Sequence, residues 1–134
     1  MRKALSGLST FKTLLCVVAA LTALSTSHAQ NTGPVRIGVL APITGPLATP
    51  GAEMIDALKM FWEKNNNTVS GRKVELVIAD TTCNPDQALT QARRLALQEK
   101  VSFLLGPLCG HEGPAVAQVS KETGVPLILD PAGA

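Results

Sequence analysis

Short apolar runs alternate with amphipathic stretches along most of the chain. Four of the runs are rich in residues that favour extended structure, and they are predicted to form buried β-strands. They do not alternate between apolar and polar residues, so we expect a parallel sheet that is covered on both faces. The four runs are Val35 to Ala41, Lys73 to Ala79, Val101 to Leu105 and Val125 to Leu129.

Between the strands, apolar residues recur at spacings of three and four, the pattern of an amphipathic helix. The first helix is predicted from Gly51 to about Asn66. The second begins at the cap residue Asn84 with Pro85 in its first turn, and the third follows Gly113 and ends at Gly124. The residues expected on the buried helix faces are Ile55, Leu58, either Phe61 or Trp62, Leu89, Ala92, Leu95, Ala96, Val116 and Val119.

The order of these elements, βαβαβαβ, predicts a doubly wound α/β fold, because successive parallel strands require right-handed crossovers. With strands numbered along the chain, the expected order across the sheet is 2-1-3-4. In such a sheet a ligand binds beyond the carboxyl ends of the strands, where the winding reverses direction. The reversal falls here between the first and third strands.

Three loops are expected to meet at that edge: Pro42 to Pro50, Gly106 to Gly113 and Asp130 to Ala134. All are rich in small residues, which let a ligand approach the backbone closely. The first and third helices direct their N-termini toward the same crevice, where unpaired N–H groups favour an anion such as a carboxylate. A single loop of this kind is typical of a simple turn, but three together predict a binding site.

Composition and charge narrow the class of partner. The chain has 134 residues, of which 46% are hydrophobic and 16% charged, as is typical of one globular domain. Three of its twelve basic residues, Arg2, Lys3 and Lys12, precede every acidic residue, so nine basic residues face ten acidic ones beyond residue 29. This near-neutral balance, with only 3% aromatic residues, argues against nucleic acid as a partner.

Residues 1–29 have the features of a signal peptide. A basic leader precedes the apolar run Leu14 to Leu24, and Ser27-His28-Ala29 forms a cleavage site, with the cut placed before Gln30. The run is shorter than the roughly 20 residues that a membrane-spanning helix needs. We therefore expect residues 30–134 to be exported, without insertion into the membrane.

The sequence contains none of the common catalytic or nucleotide-binding motifs, and no cofactor is indicated. Cys83 and Cys109 follow the second and third strands, so both are expected at the carboxyl edge of the sheet, close to His111. One interpretation is a secreted hydrolase in which Cys109 is a nucleophile paired with His111. Another is a zinc site of Cys83, Cys109 and His111, although the Cys-x-x-Cys spacing typical of zinc sites is absent.

Three acidic residues lie at the same edge. Asp80 and Asp130 end strands, where acidic groups are found in many active sites, but each is expected to cap a loop. Glu112 stands beside His111 as a candidate general base and is expected to face water.

Four segments carry a specific combination of motifs. They are VRIGVLAPITGP (Val35 to Pro46), TTCNPDQAL (Thr81 to Leu89), VSFLLGPLCG (Val101 to Gly110) and GVPLILDPAGA (Gly124 to Ala134). In this order they resemble the branched-chain amino acid-binding family, the type I periplasmic solute receptors of ABC transporters. The resemblance implies two α/β lobes that close around a small solute and deliver it to a permease. Family members are much longer, so residues 30–134 are expected to be the N-terminal part of the first lobe.

The resemblance also implies which residues contact the solute. Members that bind amino acids hold the ligand carboxylate with a serine just after the second cysteine and with a hydroxyl in the turn after the fourth strand. An aromatic residue near the end of the first loop commonly packs on the ligand. This sequence has other residue types at those places, so the expected solutes are a branched-chain or other amino acid, a small amide, and an aromatic or aliphatic carboxylate. The corresponding residues are Pro50, Gly110, His111, Pro131, Ala132 and Ala134.

A disulfide between Cys83 and Cys109 is likewise implied by the resemblance. An exported protein meets an oxidising compartment, in which such a bond persists.

Overall fold

The computed structural model describes residues 33–129, which form one sheet with helices on both faces. The predicted signal peptide and the predicted site residues Pro131, Ala132 and Ala134 lie outside these residues. The elements are β1 (Val35–Ala41), α1 (Ala48–Lys64), β2 (Thr68–Val69), β3 (Arg72–Asp80), α2 (Pro85–Arg93) with a π-helical continuation (Arg94–Gln98), β4 (Phe103–Leu105), a 3-10 turn (Gly110–Glu112), α3 (Gly113–Thr123) and β5 (Leu127–Ile128).

The strand order is β2-β3-β1-β4-β5. The strands β3, β1, β4 and β5 are parallel neighbours, so the predicted order of four parallel strands is confirmed. The added strand β2 pairs antiparallel with the start of β3 and was not predicted. Both of its residues are exposed, so no apolar pattern in the sequence indicates a strand. Asn66 and Asn67 adopt left-handed conformations, which redirect the chain from the end of α1 into β2.

The helix α1 begins three residues earlier than predicted, which places Pro50 in its first turn and not at the end of a loop. A proline is tolerated there because the first-turn N–H groups have no partner within the helix. A Cβ on the next residue, Gly51, would lie 1.8 Å from the carbonyl oxygen of Pro42, so α1 packs against the end of β1 at a position that requires glycine.

The other helix boundaries agree with their sequence signals. Asn84 caps α2 by accepting hydrogen bonds from the backbone N–H groups of Asp86 and Gln87. Gly124 ends α3 in the left-handed conformation, with φ of 73°. The strands β4 and β5 are shorter than predicted; Pro126 has no N–H with which to extend β5.

Side chains of β1 alternate between two cores, one on each face of the sheet. Leu40 packs with Leu95 and Val116 beneath α2 and α3, whereas Val39 faces α1 and Trp62. On α1 the sequence left two candidates for the inner face, and Trp62 occupies it while Phe61 is 57% exposed. No helix within residues 33–129 is long and apolar enough to span a membrane.

Candidate functional site

The carboxyl ends of β1 and β4 lie side by side at the centre of the sheet, where the winding reverses. The loop after β4 turns away through Gly106, whose φ is +99°. A Cβ at this position would lie 2.3 Å from the carbonyl oxygen of Leu40, so only glycine lets the loop pass this close to β1. The two predicted loops that the structure describes therefore begin side by side, at the ends of β1 and β4.

The loop after β3 crosses the end of β1 to reach the loop after β4. The backbone N–H of Thr81 donates to the carbonyl oxygen of Ala41 at 3.1 Å. Two residues farther on, Cys83 is paired with Cys109, with 5.7 Å between their Cα atoms. The pairing joins the loops that follow β3 and β4, although these two strands are not neighbours in the sheet.

His111 strengthens the same bridge between loops. Its Nε2 lies 3.0 Å from the carbonyl oxygen of Cys83. A carbonyl oxygen only accepts hydrogen bonds, so Nε2 carries the hydrogen atom and donates it. Because Cys109 is paired with Cys83, its sulfur is not a free thiol in the structure. The predicted pair of a Cys109 nucleophile and a His111 base is therefore not present there. Residues 33–129 contain no group of three histidine, cysteine or acidic side chains placed to hold a metal ion.

Glu112 does not face water, so that prediction is wrong. The residue is fully buried, and its Oε2 accepts a hydrogen bond of 3.2 Å from the hydroxyl of Thr81, while Oε1 has no partner among residues 33–129. The 3-10 turn before α3 directs the side chain inward. Burial raises the pKa of Glu112, and the hydrogen bond from Thr81 and the charge of His111 offset this effect only in part.

Asp80 caps a loop, as predicted, and the loop it caps is the one after β1. The carboxylate accepts hydrogen bonds from the backbone of Ile43, the backbone and hydroxyl of Thr44, and the backbone of Thr82. Asp80 is the strand partner of Ala41, the last residue of β1, so the carboxylate lies beside the start of that loop.

The predicted solute contacts occupy different parts of this edge. Gly110 begins the 3-10 turn and is half-buried, whereas His111 and Pro50 are exposed. Sequence reasoning missed two apolar side chains in the loop after β1, since Ile43 is 40% and Leu47 is 41% exposed. The signal was available: large apolar residues stand between prolines, in a segment without helical or strand periodicity.

A second apolar surface lies on the α1 face of the sheet. It is an open groove between α1 and the end of the sheet at β5, and it is called the α1 groove below. Its lining residues are Met54, Ala57, Leu58, Phe61, Leu105, Ile128 and Leu129.

Comparison with known proteins shows which family the chain resembles. The sequence profile described as periplasmic binding protein matches residues 34–134. The Leu/Ile/Val-binding protein homolog 7 of Brucella abortus (strain 2308) is 34% identical over 112 residues, which cover 82% of this chain and 28% of the relative.

Two solved structures show the same similarity. A solute-binding protein of an ABC transporter from Rhodopseudomonas palustris BisB5, in complex with 3,4-dihydroxybenzoic acid, is 28% identical with a TM-score of 0.69, over 72% of this chain and 26% of that one. The branched-chain amino acid transporter substrate-binding protein of Streptococcus pneumoniae, in complex with isoleucine, is 26% identical with a TM-score of 0.68, over 72% and 28%. The chain thus spans less than a third of these relatives. It belongs to the periplasmic binding protein family.

Proposed function

We propose that this chain contributes the N-terminal part of the first lobe of a solute receptor, which captures a small carboxylate-bearing solute for an ABC importer. The observation that carries the proposal is that β1 and β4 end side by side at the reversal point of the sheet, so that the loops after them begin next to each other. Such a crevice is where open α/β sheets bind ligands. Membership of the periplasmic binding protein family supports the same function.

The carboxyl edge of the sheet offers complementary groups for a solute with a carboxylate and an apolar body. Among residues 33–129 no side chain caps the N-terminus of α3, where the helix dipole favours a ligand oxygen. The N–H of Gly113 already donates to the carbonyl oxygen of Gly110 and Pro114 has no N–H, so later residues of the first turn would supply the donors. Ile43 and Leu47 supply exposed apolar surface nearby. The isoleucine and 3,4-dihydroxybenzoic acid bound by the two similar proteins both have this combination of groups. The remaining contacts belong to Gly110 and His111, to Pro50 in α1, and to Pro131, Ala132 and Ala134 beyond the described residues.

The setting of the receptor is the periplasm. Residues 1–29 direct export and are removed, and residues 30–134 then meet an oxidising compartment. The proximity of Cys83 and Cys109 supports a structural disulfide there. The partners of the receptor are the solute and the permease of the importer.

The receptor function is favoured over the hydrolase. A hydrolase of the predicted kind needs a free thiolate next to an imidazole that accepts its proton. Here both sulfurs are paired and Nε2 of His111 donates to a carbonyl oxygen. Glu112, the other candidate base, is buried against Thr81.

Thermal-shift screening of the complete gene product tests this function. The panel contains branched-chain amino acids, their amides, and aliphatic and aromatic carboxylates, with generic esters and amides assayed in parallel for hydrolysis. We expect saturable stabilisation by a carboxylate and no turnover. Turnover of an ester or amide would contradict the proposal, and so would the absence of a shift with every carboxylate.

A further inference from the structure

The carboxylate of Asp80 is the centre of a hydrogen-bond cluster at the carboxyl edge of the sheet. Its Oδ1 accepts from the backbone N–H groups of Ile43 at 2.8 Å, Thr44 at 3.4 Å and Thr82 at 2.9 Å. Its Oδ2 accepts from the hydroxyl of Thr44 at 2.6 Å. Three of the four donors belong to the loop after β1, so a single side chain ties that loop to the end of β3.

The loop has few other restraints. Residues 43–47 are all exposed, so packing does little to fix their conformation. Pro42 and Pro46 have no N–H to donate. Within residues 33–129, the only hydrogen bonds between this loop and a side chain elsewhere in the chain go to Asp80. The loop nevertheless leads into α1 at the reversal point, where a solute must meet a defined surface.

We propose that Asp80 is a positioning residue for solute binding, because its carboxylate holds the loop after β1 in the conformation that the solute contacts. It does not bind the solute itself, since its two oxygens already accept four hydrogen bonds. The proposal rests on the proposed receptor function. Asp80 is not among the solute contacts that the family resemblance implies.

The protonation state of Asp80 agrees with this role. Burial raises the pKa of the carboxyl group, but the hydrogen bonds from Thr44, Ile43 and Thr82 outweigh burial and hold the pKa below its ordinary value of 3.8. The group is therefore ionised at neutral pH and accepts from all four donors.

Amide exchange and solute titration of the same ¹⁵N-labelled protein test the proposal. The protein is the complete gene product, purified as the cell processes it. Asp80→Ala removes every acceptor, whereas Asp80→Asn keeps an amide oxygen that accepts from the backbone N–H groups. Asp56→Ala makes the same substitution at an exposed residue of α1 and is the matched control.

In Asp80→Ala, we expect the amides of Ile43 and Thr44 to exchange with water at least about tenfold faster, while amides in β1 remain protected. Titration by NMR to millimolar isoleucine and 3,4-dihydroxybenzoate is expected to give about tenfold weaker binding. In Asp80→Asn, the amide protection and the solute affinity are expected to stay close to those of the unsubstituted protein. Asp56→Ala is expected to change neither the protection nor the affinity. A purely structural role for Asp80 would instead accelerate exchange throughout β1.

The two measurements separate the possible failures. Unchanged exchange at Ile43 and Thr44 in Asp80→Ala would overturn the positioning role, and so would faster exchange with unchanged solute affinity. If the unsubstituted protein bound neither solute nor any other carboxylate of the panel, the receptor function would fail, and with it the role of Asp80 in binding. The exchange data would still report whether Asp80 holds the loop.

Discussion

Thr81 donates its hydroxyl hydrogen to Oε2 of Glu112 across 3.2 Å, and both residues are fully buried. The bond joins the end of β3 to the turn that precedes α3, and it lies beneath the candidate site. The other carboxyl oxygen has no partner in the part of the chain that the structure describes, and burial favours the protonated form of Glu112.

We expect Glu112 to make the stability of the protein depend on pH. Burial raises its pKa above the ordinary value of 4.5, so the folded protein holds this proton more tightly than the unfolded chain does. The contribution of Glu112 is complete below the unfolded pKa and declines as the pH rises through the folded pKa. Glu112→Gln removes this decline, so the variant should gain stability relative to the unsubstituted protein as the pH increases.

Urea unfolding of both proteins between pH 4 and pH 8 measures the difference. All other ionisable groups are common to both proteins, so the difference isolates Glu112. A constant difference across the range would contradict the assignment. Thr81→Val is the companion variant, because it leaves the carboxyl group buried without its donor, and a loss of about 1–3 kcal/mol is expected.

Removal of the Cys83–Cys109 pair should weaken the fold. The two cysteines are 26 residues apart, and closing a loop of that length stabilises a protein by about 3 kcal/mol in the chain-entropy model. Cys83→Ser combined with Cys109→Ser is expected to lower the free energy of unfolding by about that amount. Thiol titration of natively purified protein gives the direct check, and two free thiols at these positions would show that the disulfide is not formed.

Gly106→Ala should destabilise the protein more than Gly124→Ala. Both residues have positive φ, of +99° and +73°, so both substitutions strain the backbone. Only at Gly106 would the new Cβ also collide with a carbonyl oxygen, that of Leu40, whereas nothing lies within 4 Å at Gly124. We expect losses of more than about 2 kcal/mol and about 1 kcal/mol respectively. Equal losses in thermal unfolding would show that the loop after β4 is able to move away from β1.

The fold could be predicted from local sequence signals, whereas the contacts within the candidate site could not. Continuous apolar runs, the cap at Asn84 and the terminating glycine at position 124 are each visible within a few residues, and the structure confirms them. The Asp80 cluster instead depends on strand register, which pairs Asp80 with Ala41 across 39 positions of sequence. No local pattern reveals that register.

Glu112 was wrongly predicted for a related physical reason. A glutamate in a polar loop has a strong preference for water, and only the docking of α2, α3 and the loop after β3 around it removes the solvent. The hydroxyl that compensates for this loss belongs to Thr81, 31 residues away. Long-range packing of this kind overrides the local preference.

The α1 groove is expected to make residues 30–134 self-associate when they are expressed alone. Phe61 and Ile128 line it and are 57% and 53% exposed. The groove borders β5, whose outer edge has no strand partner within residues 33–129, and unpaired apolar edges favour association. One lobe also encloses a solute incompletely, so we expect either millimolar affinity, about −4 kcal/mol, or no binding. Sedimentation velocity and calorimetry measure the two properties.

Phe61→Ser is expected to reduce the association, because it removes the largest apolar side chain of the groove without opening the core. Leu97→Ser is the matched control: Leu97 is 60% exposed but is not among the residues that line the groove. If association is equal in both variants, the α1 groove is not the contact. A monomer that melts cooperatively and binds its solute with micromolar affinity would contradict both expectations, since the described sheet would then be sufficient for folding and for capture.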